Sequence, residues 1–189
     1  MSVRVTVLIV FLTLLQTSVK AQITRSNWMV GGNISYVNRN TTYASIQSHH
    51  KDSRFDLNPK AGYFFIDKLA TGLTLNYGRL KDTYESNTVK YWNIGIGPFV
   101  RYYFLGPDHF INILAEGSVA LVRSKANNDQ DVLRGTSYSL FAGPVLFVNS
   151  SVGIEFLAGY VGDKFQDGGQ ENNGFKCSIG VQVHLERDK

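Results

Sequence analysis

From Trp28 onward this chain alternates. Apolar residues recur at every second position through one segment after another, and a period of two admits strands while excluding amphipathic helices. Eight such segments are legible, at about 28–37, 54–66, 69–81, 89–104, 109–123, 134–148, 152–162 and 174–185. In the second, Phe55, Leu57, Pro59, Ala61, Tyr63 and Phe65 share one face, and Asp56, Asn58, Lys60, Gly62 and Phe64 share the other. The third sets Leu69, Thr71, Leu73, Leu75 and Tyr77 against Ala70, Gly72, Thr74, Asn76 and Gly78. The fourth opposes Trp92, Ile94, Ile96, Pro98, Val100 and Tyr102 to Asn93, Gly95, Gly97, Phe99, Arg101 and Tyr103. In the eighth, Phe175, Cys177, Ile179, Val181, Val183 and Leu185 oppose Lys176, Ser178, Gly180, Gln182 and His184.

A soluble sandwich alternates too, but its polar face is rich in Lys, Glu and Thr, and strands are generally poor in glycine. Here Gly62, Gly72, Gly78, Gly95, Gly97, Gly143, Gly159 and Gly180 all fall on the polar face. That pattern fits the crowded interior of a small barrel, where the bore is just wide enough for side chains. The aromatics of the apolar face sort by height. Trp28, Tyr63, Phe65, Tyr102 and Phe104 lie toward one end of the strands, and Tyr36, Phe55, Tyr77, Trp92, Tyr138, Tyr160 and Phe175 toward the other. Two girdles flanking an aliphatic band are what a membrane barrel needs at its interfaces.

The connections alternate in length. Asp67-Lys68, Leu105-Gly-Pro-Asp108 and Asn149-Ser-Ser151 read as tight turns, while 38–53, 82–88, 124–133 and 163–173 read as longer polar loops. An even strand number with short turns at one end and long loops at the other predicts an all-β, eight-stranded antiparallel up-and-down transmembrane β-barrel, with both termini on the short-turn side. The start of the chain supports export. Arg4 precedes the apolar run Val5–Leu15, and Val19-Lys20-Ala21 has the small residues of a cleavage site, so residues 1–21 read as a cleavable signal peptide and 22–189 as the barrel domain. The apolar run is too short for a spanning helix, which needs about 20 residues. Of 19 basic residues, Arg4 and Lys20 leave with that segment, so 17 face 15 acids. That balance, with no basic cluster, does not suggest nucleic acid. Cys177 is the only cysteine, so no disulfide closes within the chain.

The segments AGYFFIDKLATGLTLNYG (61–78), NIGIGPFVRYYF (93–104) and SVGIEFLAGY (151–160) carry a resemblance. With Gly143-Pro144 echoing Gly97-Pro98, the chain resembles the small outer-membrane β-barrels common in Bacteroidetes, OmpA- and OmpX-like in architecture. The likeness runs from about Trp28 to Leu185. It implies a cell outer-membrane location, contact with lipid and lipopolysaccharide, a monomer, and a structural or surface role through extracellular loops. It carries no catalytic signature. Such chains often end on an aromatic residue, whereas this one ends His184-Leu185-Glu-Arg-Asp-Lys189.

Candidate sites are sparse. His49-His50 with Asp52 supplies too few ligands for a metal, and Asp163, Asp167, Glu171, Asp129 and Asp131 lack the spacing of a calcium loop, so solvated loop residues are the default. His109 and His184 sit near strand ends without a Ser partner, giving no base–nucleophile pair for acyl chemistry. Neither an enzyme nor a cofactor is expected. Cys177 falls on the lipid face, and Asn33, Asn40 and Asn149 head Asn-x-Ser/Thr triplets. The distinctive set is five inward charges, Lys60, Arg101, Glu116, Glu155 and Lys176. Counting residues from the short turns predicts Arg101–Glu155 and Lys60–Glu116 bridges that plug the bore and leave at most a very narrow pore. The alternative fold is a secreted lipocalin-like carrier with an apolar interior; a general porin is disfavoured because a wide channel takes about 16 strands.

Overall fold

The computed structural model describes residues 21–43, 48–84, 87–127, 132–166 and 171–186. They form eight strands in one closed sheet: β1 (Trp28–Tyr43), β2 (Ser48–Ile66), β3 (Leu69–Tyr84), β4 (Asn87–Tyr103), β5 (Ile111–Ala126), β6 (Val132–Phe147), β7 (Val152–Phe165) and β8 (Glu171–Leu185). Each strand is antiparallel to its sequence neighbours, and β1 pairs with β8 to close the ring. The fold is a transmembrane β-barrel of the up-and-down type.

Alternation decides which way each residue points. On β4, Gly95, Gly97, Phe99, Arg101 and Tyr103 are buried, and Trp92, Ile94, Ile96, Val100 and Tyr102 are exposed. The outer wall is therefore apolar all round: Leu75, Ile96, Val119, Leu121, Leu140, Phe156 and Val181 all face outward. A water-soluble carrier would be covered by polar residues instead, so the outer wall argues against the lipocalin arrangement. Aromatic pairs mark both rims of this band. Trp28–Tyr63 and Tyr102–Phe104 pack edge-to-face at 5.2 Å on the short-turn side, and Tyr160–Phe175 at 5.7 Å on the opposite side.

The strands outrun the alternation of apolar residues. Segment 38–53 is largely ladder: Arg39 stands opposite Asp52, and β2 already begins at Ser48, so His49 and His50 are strand residues. At the other long hairpins, the strands also run beyond their expected ends, to Tyr84, Ala126 and Phe165 and from Asn87, Val132 and Glu171. Nothing apolar is needed there, because a hairpin ladder extends by backbone hydrogen bonds alone once its register is set. What remains of the four long connections, 44–47, 85–86, 128–131 and 167–170, lies outside the described residues, and with it Asp129, Asp131 and Asp167.

The short turns are tight. Lys68 takes a positive φ of 68° between β2 and β3, and Asn149 Oδ1 accepts from the amides of Ser151 and Val152 between β6 and β7. Two inward glycines permit close strand contact rather than lumen space. A Cβ on Gly72 would meet the carbonyl oxygen of Ala61, and one on Gly97 that of Val119, each on a neighbouring strand. The closing ladder is the shortest. β1 meets β8 only over Trp28–Ile34, whereas it pairs with β2 along its whole length.

Candidate functional site

The interior is layered from the short-turn end upward. At the bottom lies a segment that alternation does not reveal. Residues 21–27 precede β1 and fold across the mouth of the barrel. The Gln22 amide donates to Ser150 O, Lys68 N donates to Ile23 O, Arg25 N donates to Asp67 Oδ1, and Ser26 N donates to Phe64 O. Ala21 N donates to Pro107 O, so this segment touches all three short turns. Residues 1–20 of the expected signal peptide lie outside the described residues; Ala21, its last residue, is buried here. Ile23 is fully buried and packs in one apolar cluster with Met29, Phe64, Leu114 and Phe147.

Phe64, Tyr103, Phe147 and His184 form an aromatic layer above this cap. The His184 ring lies 5.8 Å from Phe64 and 5.7 Å from Phe147, centroid to centroid, and Nε2 is 3.3 Å from the Tyr103 hydroxyl. The sequence placed His184 near a strand end; the structure buries it completely, because the cap closes the mouth beneath it. His109 stays exposed in the β4–β5 turn. No group of three or more His, Cys, Asp or Glu converges as a metal site among the described residues.

The charge network comes next. Arg101 on β4 is wholly buried, with Nη1 2.8 Å from Glu155 Oε2 and Nη2 2.6 Å from Glu116 Oε2. Lys60 on β2 reaches Glu116 Oε1 at 2.5 Å. Gln182 donates to Glu155 Oε1 at 3.3 Å, and the Phe99 ring lies 5.7 Å from the Lys60 ammonium. The two pairs expected from strand heights, Arg101–Glu155 and Lys60–Glu116, are thus parts of one chain: Lys60, Glu116, Arg101, Glu155. Glu116 is shared because it is also the ladder partner of Arg101 on the adjacent strand. Isolated charges in such a bore would be prohibitively desolvated; two cations meeting two carboxylates make the set neutral and hydrogen-bonded.

Lys176 does not join this chain. It sits higher, 2.7 Å from Asp56 Oδ2, and Asp56 also accepts from Arg54 at 3.2 Å. Asp56 is the residue that sequence reasoning missed. Its signal was present, since the parity of β2 turns it inward with Lys60. Above the network the bore widens into a cavity of about 390 Å³ that opens toward the long hairpins. Its walls carry Asn33, Asn58, Asn76, Asn93, Ser137 and Ser139. Among the described residues the interior is therefore blind: polar and open at one end, occluded at the other.

No protein-family model and no curated protein matches the chain. Solved structures that share its fold include two outer-membrane barrels. Neisserial surface protein A (NspA) aligns with a TM-score of 0.57 at 17% identity, over 82% of this chain and 96% of its own. The outer membrane protein OprG from Pseudomonas aeruginosa aligns with a TM-score of 0.52 at 10% identity, over 88% of this chain and 100% of its own.

Proposed function

We propose that this protein is an exported, integral outer-membrane barrel, closed to bulk permeation, that acts at the cell surface through its outward-facing end. One observation carries the reading: the bore is sealed by the Arg101 network, the aromatic layer and residues 22–27 of the cap, which remain after residues 1–21 are removed, while its other end is an open polar cavity. A sealed bore conducts little, so the work falls to the open end and its long hairpins. The barrel neighbours, one a surface protein and one an outer membrane protein, support the location. Residues 1–21 would direct export and be removed. In the membrane, the apolar wall meets lipid and the long hairpins project among lipopolysaccharide, with the protein as a monomer.

Cysteine labelling tests this directly. In a Cys177→Ala background, Asn87→Cys at the exposed start of β4 should react with a membrane-impermeant maleimide on intact cells. Ser150→Cys, in the β6–β7 turn, should react only after the outer membrane is opened. The reverse pattern, or recovery of the protein in the soluble fraction, overturns the assignment.

A further inference from the structure

The open cavity is divided into two chemically different walls. On one side, Asn33, Asn58 and Asn76 form a row across three adjacent strands: Asn33 is the ladder partner of Asn58, and Asn58 donates to Asn76 Oδ1 at 2.9 Å. Asn93 on β4 continues that wall one step higher, facing Gly78 across the ladder. On the other side, Phe141, Val161 and Phe165 present carbon surface and Ser139 a hydroxyl, while Ser137 Oγ accepts from Asn76 Nδ2 at 3.5 Å and links the two walls.

Two polar atoms on the amide wall lack partners. Asn33 is 5% exposed and donates to Ser178 Oγ at 3.2 Å, yet its Oδ1 is unpartnered, as is Asn93 Oδ1. Turning the Asn33 amide over exchanges an orphan acceptor for an orphan donor, so one end lacks a partner either way. Buried polar groups are ordinarily hydrogen-bonded, and an exception in a concave site points to what fills it. Deeper than Asp52 at the rim, the remaining charges of the cavity are balanced. Arg54 and Lys176 offset Asp56 and Asp163, and the Asp163 carboxylate has no hydrogen bond or ion pair among the described residues.

We propose that this cavity binds a small neutral saccharide, a mono- or disaccharide taken from outside the cell. Planar amides suit vicinal hydroxyl pairs, which both donate and accept. Sugar hydroxyls would donate to the Asp163 carboxylate, and would reach Asn33 Oδ1 and Asn93 Oδ1, both covered as they stand, once those amides turn toward the cavity. The C–H face of a pyranose would rest on Phe141, the deeper of the two rings. Charge balance disfavours a strongly anionic or cationic ligand, and the volume lies within the range of small-molecule pockets, about 300–1,000 Å³. The source of the ligand rests on the surface-facing reading above; the binding itself does not.

The test uses the mature protein refolded in detergent and titrated calorimetrically with neutral mono- and disaccharides, with putrescine and a sugar phosphate as charged controls. At least one neutral saccharide should saturate a single site. Asn76→Leu and Ser139→Leu should each weaken it by about tenfold or more, equivalent to about 1.4 kcal/mol, while Leu75→Ala on the outer wall leaves it unchanged. In ¹H–¹⁵N spectra of the wild type, the side-chain amides of Asn76 and Asn93 should shift on titration and that of Asn87 should not, a readout that survives failure of either variant to fold. Absence of saturation by any neutral saccharide, binding of a charged control alone, or shifts that spare Asn76 and Asn93 would overturn the proposal. Saccharide binding in detergent with the maleimide pattern reversed would instead defeat the surface location and leave the site standing.

Discussion

Arg101 answers to two carboxylates at once, and Glu116 answers to two cations. Glu116 is therefore the residue on which the network depends most. Replacing it with Ala strands Lys60 without a carboxylate and leaves Arg101 with Glu155 alone. Removing one partner of a buried pair costs about 3–5 kcal/mol, because the charge left behind stays desolvated. Glu116→Ala should accordingly unfold at distinctly lower urea than wild type, measured by the heat-dependent gel shift of the folded barrel, and an unchanged midpoint would refute the account of the network. At this scale much was legible. Parity alone turned Lys60, Arg101, Glu116, Glu155 and Lys176 inward, and counting from the turns set the heights of the first four. The sharing of Glu116 was not legible, because it depends on strand tilt and on which residues become ladder partners. The partner of Lys176 was less legible: parity turns Asp56 inward beside the outward Leu57, but nothing in the spacing of β2 and β8 sets the two at one height.

For the strands, the outer band makes the firmest statement. Leu75 and Ile96 are ladder partners and both face lipid, while Thr74 is buried inward. Leu75→Arg should cost about 2–4 kcal/mol near the bilayer midplane, and Thr74→Ser should be mild; equal folding of the two in vesicles would reverse the parity of β3. The segment before β1 makes the second statement. Ile23 is fully buried, so Ile23→Ala should cost about 2 kcal/mol or more, read as a lower urea midpoint with an unchanged strand signal in circular dichroism. The eight strands were readable because apolar alternation is imposed by lipid outside and a filled bore inside. Their outer extensions were not, since above the membrane both faces of a hairpin meet polar surroundings and alternation disappears, as in 38–53. The cap was invisible for a related reason: residues 21–27 have no period, and their positions follow from the short turns, which lie far away in sequence.

For the whole molecule, an apolar exterior surrounds a blind, neutralised interior. The closed ladder satisfies the backbone groups it pairs without water, which is what a sheet in a membrane must do. The buried network, the aromatic layer and the cap then decide what the barrel cannot do, which is conduct freely. Single-channel recording in planar bilayers tests that claim most directly. Wild-type protein should give current barely above the bare membrane, and Glu116→Ala, with its network loosened, should give small intermittent openings. A large, stable wild-type conductance that Glu116→Ala leaves unchanged would contradict the sealed bore.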